Sequence, residues 1–159
     1  DAPFGAAPKA ALDEALAIST ELGLAVHNEK GYIGWAELPG KEAEKYLGFP
    51  YVWGGSSPST SFDCSGFVSY VLTNSGVCNT GRLGAQGLYN ISTPVSSANV
   101  RPGDLVFFTG TYDTPGVSHV GIYVGNSMMI HCGDPISYSN LNSSYWQAHF
   151  YAYGRPPYN

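Results

Sequence analysis

Apolar residues recur at helical spacing in the first half of the chain and alternate with polar ones in the second. Over 8–23, Ala11, Leu12, Ala15, Leu16, Ile18 and Leu22 share one face and Gly23 follows, which predicts an amphipathic helix. Residues 24–40 hold Gly31, Gly34, Pro39 and Gly40 and read as loop with at most a short strand. A second short helix is expected over 41–47, ended by Gly48. The segment 50–61 is glycine-rich and aromatic, a composition that suits a site wall better than a linker. Over 63–74, Asp63 is a good N-cap, Phe67, Val68, Val71 and Leu72 form an apolar stripe, and Gly76 follows, which predicts a buried helix. A short helix over 83–89 comes next.

Strand patterns then take over. The turn Arg101-Pro102-Gly103 introduces a strand over 104–108, and further strands are expected over 119–124, 128–132 and 150–153. Helices first and antiparallel strands afterwards predict an α+β domain.

Composition narrows the class. The 159 residues are 43% hydrophobic and 12% charged, which describes a folded globular domain and not a disordered chain. The net charge is −5, and the seven Lys and Arg are scattered. No basic footprint marks a nucleic-acid partner, and no cluster marks an anionic membrane surface. No apolar run approaches the roughly 18 to 20 residues of a bilayer span, so membrane contact by this segment is not expected. The chain opens Asp1-Ala2-Pro3 with no start Met and no signal peptide, so a longer precursor is expected, from which a secretion signal or membrane anchor could have been lost. The three cysteines, Cys64, Cys78 and Cys132, make no complete disulfide framework and imply at least one free thiol.

Cys64 is the residue with chemistry. Most lone cysteines are small packed apolar residues. Cys64 instead stands between Asp63 and Ser65-Gly66, in the first turn of a predicted helix. Unpaired N–H groups and the macrodipole favour a thiolate there, and the same groups can hold an oxyanion. Asp63 pushes the other way, so a cationic partner is required.

Two histidines offer it. A two-residue loop Gly125-Asn126 would put His119 and His131 on opposite faces of a hairpin. A three-residue loop Gly125-Asn126-Ser127 pairs Val124 with Met128, Ile122 with Ile130 and Val120 with Cys132, leaving one face wholly apolar. His131 then lies opposite Gly121 and diagonal to His119, roughly 7–8 Å away at Cα. In this register His119 serves as base and acid, and His131 orients it. Cys132 faces the core, and Cys78 reads as an incidental loop thiol. His27 and His149 read as ordinary structural histidines.

Five segments in order now resemble one family: Tyr51-Val52-Trp53-Gly54-Gly55, Phe62-Asp63-Cys64-Ser65-Gly66-Phe67-Val68, Arg101-Pro102-Gly103-Asp104-Leu105-Val106-Phe107-Phe108, Ser118-His119-Val120-Gly121-Ile122-Tyr123-Val124-Gly125, and Met129-Ile130-His131. They resemble the NlpC/P60 cell-wall cysteine peptidases, and among these the endopeptidase half of the two-domain, muramidase-plus-endopeptidase wall hydrolases of conjugative elements. The resemblance implies a circularly permuted papain-like fold over 41–159. Residues 1–40 lie outside it and read as an N-terminal helical or linker segment, a remnant of an upstream domain or a fused accessory segment. The resemblance also implies a catalytic Cys64, His119 and His131, and cleavage of the γ-D-glutamyl–diamino acid bond of peptidoglycan stem peptides. It assigns Tyr51, Asp63, Ser65 and Ser118 to the substrate cleft, where Tyr51 lies near the oxyanion and Asp63 with Ser65 can receive the amino end of a stem. Trp53 of the same aromatic loop is placed with them. A monomer acting in the extracellular cell wall without a cofactor is expected, either by itself or within a larger membrane-anchored chain.

Three rivals share parts of this pattern. Cys64, His119, His131 and Cys132 are zinc-ligand types, although their spacing matches no tight zinc motif. A catalytically inactive wall-binding module would use the aromatic groove alone. A related thiol fold could perform acyl transfer or amidase work.

Overall fold

The computed structural model describes residues 37–158. The helix expected over 8–23, His27 and most of 24–40 lie outside the described residues. Helix α1 covers Leu38–Glu44 and so begins ahead of the expected 41–47. Pro39 is not a loop residue but sits in the first turn, where its missing N–H has no intrahelical partner to lose.

The wall segment is not plain loop. Strands β1 (Ser56–Ser57) and β2 (Ser61–Phe62) pair antiparallel within it. Helix α2 (Cys64–Asn74) follows, capped as expected by Asp63, whose carboxylate accepts from the Gly66 N–H at 2.7 Å. Phe67, Val68, Val71 and Leu72 are fully buried, and α2 lies against the central strands. Each such side chain contributes about 1.5–3 kcal/mol by leaving water. Gly66 is required at this point. A Cβ there would collide with the carbonyl oxygen of Gly55, so the wall segment rests directly on the first turn of α2.

The chain continues through α3 (Ala85–Ile91), β3 (Thr93–Val95), β4 (Leu105–Thr109), β5 (Val117–Gly125), β6 (Met128–Cys132), β7 (Ile136–Asn140), α4 (Ser144–His149) and β8 (Phe150–Arg155). The main sheet has the order β3-β8-β4-β5-β6-β7, with antiparallel neighbours throughout. This is the expected α+β class. Five elements are additional to those expected from sequence: β1, β2, β3, β7 and α4.

The β5–β6 hairpin reaches the expected histidine arrangement by another route. Ile122 pairs with Ile130 as expected, but Gly125, not Val124, pairs with Met128. The turn is the two residues Asn126 and Ser127, both at positive φ, and a bulge between Tyr123 and Gly125 absorbs the third. The bulge lies beyond Ile122, so the register at the histidines is unchanged.

One buried ion pair closes the sheet. Asp104, fully buried, accepts two bonds from Arg155, Nε at 2.7 Å and Nη2 at 2.9 Å, and one from the Arg101 N–H at 2.9 Å. It ties the start of β4 to the end of β8.

Candidate active site

Cys64 is the first residue of α2 and is buried. Its thiol donates to the carbonyl oxygen of Ser118, the residue before His119, at 3.8 Å. The rings of His119 and His131 lie on one face of the sheet, with His119 Nε2 2.9 Å from His131 Nδ1. Gly121 makes this possible, because a Cβ there would press on the His131 Cβ at 3.1 Å. His131 Nε2 in turn lies 2.8 Å from Ser139 Oγ on β7.

Two arrangements of protons satisfy these bonds, since Ser139 Oγ can donate or accept. In the one that leaves His119 a base, His119 carries its proton on Nε2 and donates to His131, and His131 carries its own on Nε2 and donates to Ser139. His119 Nδ1 is then left as a bare acceptor. Trp146 of α4 stacks on the His119 ring, centroids 5.3 Å apart and 23° from parallel, and meets His131 edge-on.

Burial governs the charges. It pushes the Cys64 thiol up to about 11, helped by the Asp63 carboxylate and partly offset by backbone N–H groups of Val120 and Ser65. Burial, then the neighbouring His131, brings His119 down to about 3, and burial brings His131 down to about 4. The resting site therefore holds a thiol and two neutral imidazoles, so proton transfer must accompany attack. The same shifts bear on stability. An unfolded histidine binds a proton below about pH 6.5. The folded pair resists protonation down to about 4 and about 3. The unfolded state thus gains protons first, and stability should fall as pH drops from 6.5 toward 4. Thermal melts across this window should decline more steeply for the wild type than for His131→Gln; parallel curves would show that His131 is not held neutral by the fold.

Two cavities meet at Cys64. One, of about 370 Å³, is lined by Tyr51, Cys64, His119, Asp134, Tyr145 and Trp146 among others. The second, of about 410 Å³, runs along Trp53, Asp63, Ser65, Arg82 and Tyr112. Tyr51, Trp53, Tyr112 and Ser118 border both. Burial and the nearby Cys64 and Asp63 push the Tyr51 hydroxyl up to about 12, so it stays a proton donor.

The other candidates have specific partners. Arg82 donates to both Asp63 oxygens, at 3.1 and 3.0 Å, and to Ser65 Oγ at 3.0 Å. The Ser118 hydroxyl is held by Thr111, through its N–H at 3.0 Å and its Oγ1 at 2.6 Å. Cys132 is buried as expected, borders the cavity that holds Cys64 and His119, and donates to the Phe62 carbonyl at 3.2 Å. Among the described residues, no three His, Cys, Asp or Glu side chains converge as a metal-binding group. Cys78 lies in the loop after α2, as expected, with its side chain buried. His149 bonds the Thr109 carbonyl at 2.9 Å, a structural role.

Sequence reasoning missed Arg82, Ser139, Tyr112 and Trp146. The alternation Ile136-Ser137-Tyr138-Ser139-Asn140 was a usable strand signal for Ser139. Arg82 gave none, because its partners lie 17 and 19 positions earlier in the chain.

Residues 48–155 match the model of the NlpC/P60 family. The chain is 45% identical over 127 residues to the bifunctional muramidase/DL-endopeptidase CwlT of Bacillus subtilis, covering 79% of this chain and 38% of that protein. It is 42% identical over 110 residues to the gamma-DL-glutamyl hydrolase of the same organism, covering 68% of this chain and 26% of that one. Among solved structures it resembles a lipoprotein-like NLP/P60 family protein of Staphylococcus aureus, with a TM-score of 0.74 and 42% identity, covering 79% of this chain and 42% of the other. The chain thus spans well under half the length of these relatives.

Proposed function

The chain belongs to the NlpC/P60 family, and from that premise we propose that it is a cysteine endopeptidase that cuts the γ-D-glutamyl–diamino acid bond of peptidoglycan stem peptides. One observation carries the chemistry: a hydrogen-bonded series from Ser139 through His131 to His119 beside a thiol at the start of α2. Relatives bearing the names DL-endopeptidase and gamma-DL-glutamyl hydrolase support the bond and the substrate.

Cys64 Sγ attacks the γ-carbonyl carbon while His119 Nδ1 takes the thiol proton. The imidazolium is held by His131, whose Nδ1 accepts from His119 Nε2. The backbone N–H of Cys64 and the Tyr51 hydroxyl stabilise the oxyanion. His119 then gives the proton to the departing amine, leaving a thioester. Water, deprotonated by His119, hydrolyses that thioester and restores the thiol. The peptidase unit runs over 41–159 and works at the cell wall, as one part of a longer wall hydrolase.

Mass spectrometry of digests of defined tri- and tetrapeptide muropeptides tests this. A new amine on the diamino acid and a new carboxylate on the glutamate are expected. Cleavage should persist after exhaustive chelation and stop after thiol alkylation. Cleavage at the muramoyl–alanine amide instead would replace the endopeptidase with an amidase.

A further inference from the structure

Helix α4 gives almost nothing to the core. None of its six residues is buried, and only Trp146 and His149 are half-buried. The helix is nevertheless pinned twice. Gln147 Nε2 donates to the Leu141 carbonyl at 2.7 Å, and His149 Nδ1 donates to the Thr109 carbonyl at 2.9 Å. What the pinned helix delivers inward is one indole. Trp146 packs on the core group that contains Phe108, Met129 and Leu141, with the Phe108 centroid 4.7 Å away. It also covers both imidazoles, stacked on His119 at 5.3 Å and edge-on to His131 at 5.1 Å. Phe108 approaches the His119 ring from β4, centroids 5.9 Å apart. The two histidines are left 8% and 3% exposed, although His119 borders the cleft.

Such a cover acts on the bond between His119 Nε2 and His131 Nδ1. Water held away does not compete for either nitrogen, and a drier setting strengthens the bond. The stack also fixes the plane of the His119 ring. Nδ1, the acceptor that the reaction uses, then stays where the bond to His131 places it. When His119 takes the thiol proton, the indole face lies within the roughly 6 Å over which an aromatic ring attracts a cation.

Resting on the peptidase reading above, we propose that Trp146 is a positioning residue, whose indole seals the His119–His131 bond from water and keeps the base aligned with it.

Three variants test it, Trp146→Phe, Trp146→Leu and Trp146→Ala, each checked by a thermal melt. Trp146→Phe keeps an aromatic cover and should retain kcat within about threefold. Trp146→Leu and Trp146→Ala should lower kcat by roughly 10- to 100-fold, the scale of a displaced catalytic group, with KM changed less. Their loss should also depend on pH. In the wild type, burial holds His119 neutral down to about 3. Water admitted to the pair lets it protonate nearer the ordinary histidine value of about 6.5. The ratio of variant to wild-type kcat/KM should therefore fall further between pH 7.5 and 5.5. The groups facing His119 are Cys64 on α2, His131 on β6, and Tyr51, Tyr145 and Asp134 across the cavity. Thiols and phenols titrate above that window and carboxylates below it, and His131 titrates with the pair.

The assigned ring C–H resonances of the two histidines give the same titration without substrate. Both should stay neutral above pH 5 in the wild type and Trp146→Phe, and at least one should titrate above pH 5 in Trp146→Leu. Leucine keeps an apolar contact with Phe108, so the Leu and Phe variants carry the test where Trp146→Ala fails to fold. A folded Trp146→Leu with wild-type kcat and both rings neutral above pH 5 overturns the inference and leaves the peptidase intact. A kcat/KM ratio that does not change with pH overturns it as well. A wild type that cuts no muropeptide, with the rings titrating as expected, overturns the peptidase reading and leaves the sealed pair.

Discussion

Cys64→Ala should lower muropeptide turnover by roughly 10⁴- to 10⁶-fold, the scale of losing a covalent nucleophile. The fold should survive, because the change removes one sulfur whose bond to the Ser118 carbonyl is long, 3.8 Å. The measurement is kcat on a cut muropeptide beside a thermal melt. His119→Ala should approach the same loss, since the thiol, pushed up to about 11, is not ionised at neutral pH without a base. His131→Ala should be milder, because orienting and polarising a base is worth less than being one. Equal and small losses in all three variants, with folds intact, would exclude covalent catalysis by Cys64.

Asp104→Ala should cost about 3 kcal/mol of stability, at the low end for breaking a buried ion pair. Two facts set that figure. Asp104 is completely buried and its oxygens hold both Arg155 and the Arg101 N–H, so its removal leaves partners unmatched. The Arg155 side chain is 31% exposed and can recover some hydration. For a unit of this size the melting temperature should fall by roughly 10 °C. The double variant Asp104→Leu/Arg155→Met should lose less than Asp104→Ala, because it leaves no charge without a partner. A single-variant loss under about 1 kcal/mol would mean that hydration already carries Arg155 in the native state.

How far the site was legible depended on the range of the contacts. Cys64, its cap Asp63 and the apolar stripe of α2 are local, and local spacing reveals them. His119 and His131 are separated by twelve positions but joined by a hairpin, so alternation was enough to bring them onto one face. The turn itself was misjudged. Counting residues cannot distinguish a three-residue loop from a two-residue turn plus a bulge, and both give the same register at Ile122 and Ile130. Pro39 reads as a loop marker from sequence because its use in a first helical turn is visible only once the helix is placed. Arg82, Ser139 and Trp146 come from segments whose partners are set by tertiary packing. Arg82 meets Asp63 only because its segment returns to the start of α2, and Trp146 meets His119 only because α4 folds back over the sheet.

The last strand among the described residues lies inside the sheet. β8 runs between β3 and β4 and carries the arginine that neutralises Asp104. A polypeptide growing from the ribosome therefore exposes Cys64 and both histidines long before the gap between β3 and β4 can be filled. Domains fold as units once their elements are available. The proposed thiol chemistry is thus withheld until β8 has been made, and a protein cut short before Phe150 would carry Cys64, His119 and His131 without a finished sheet.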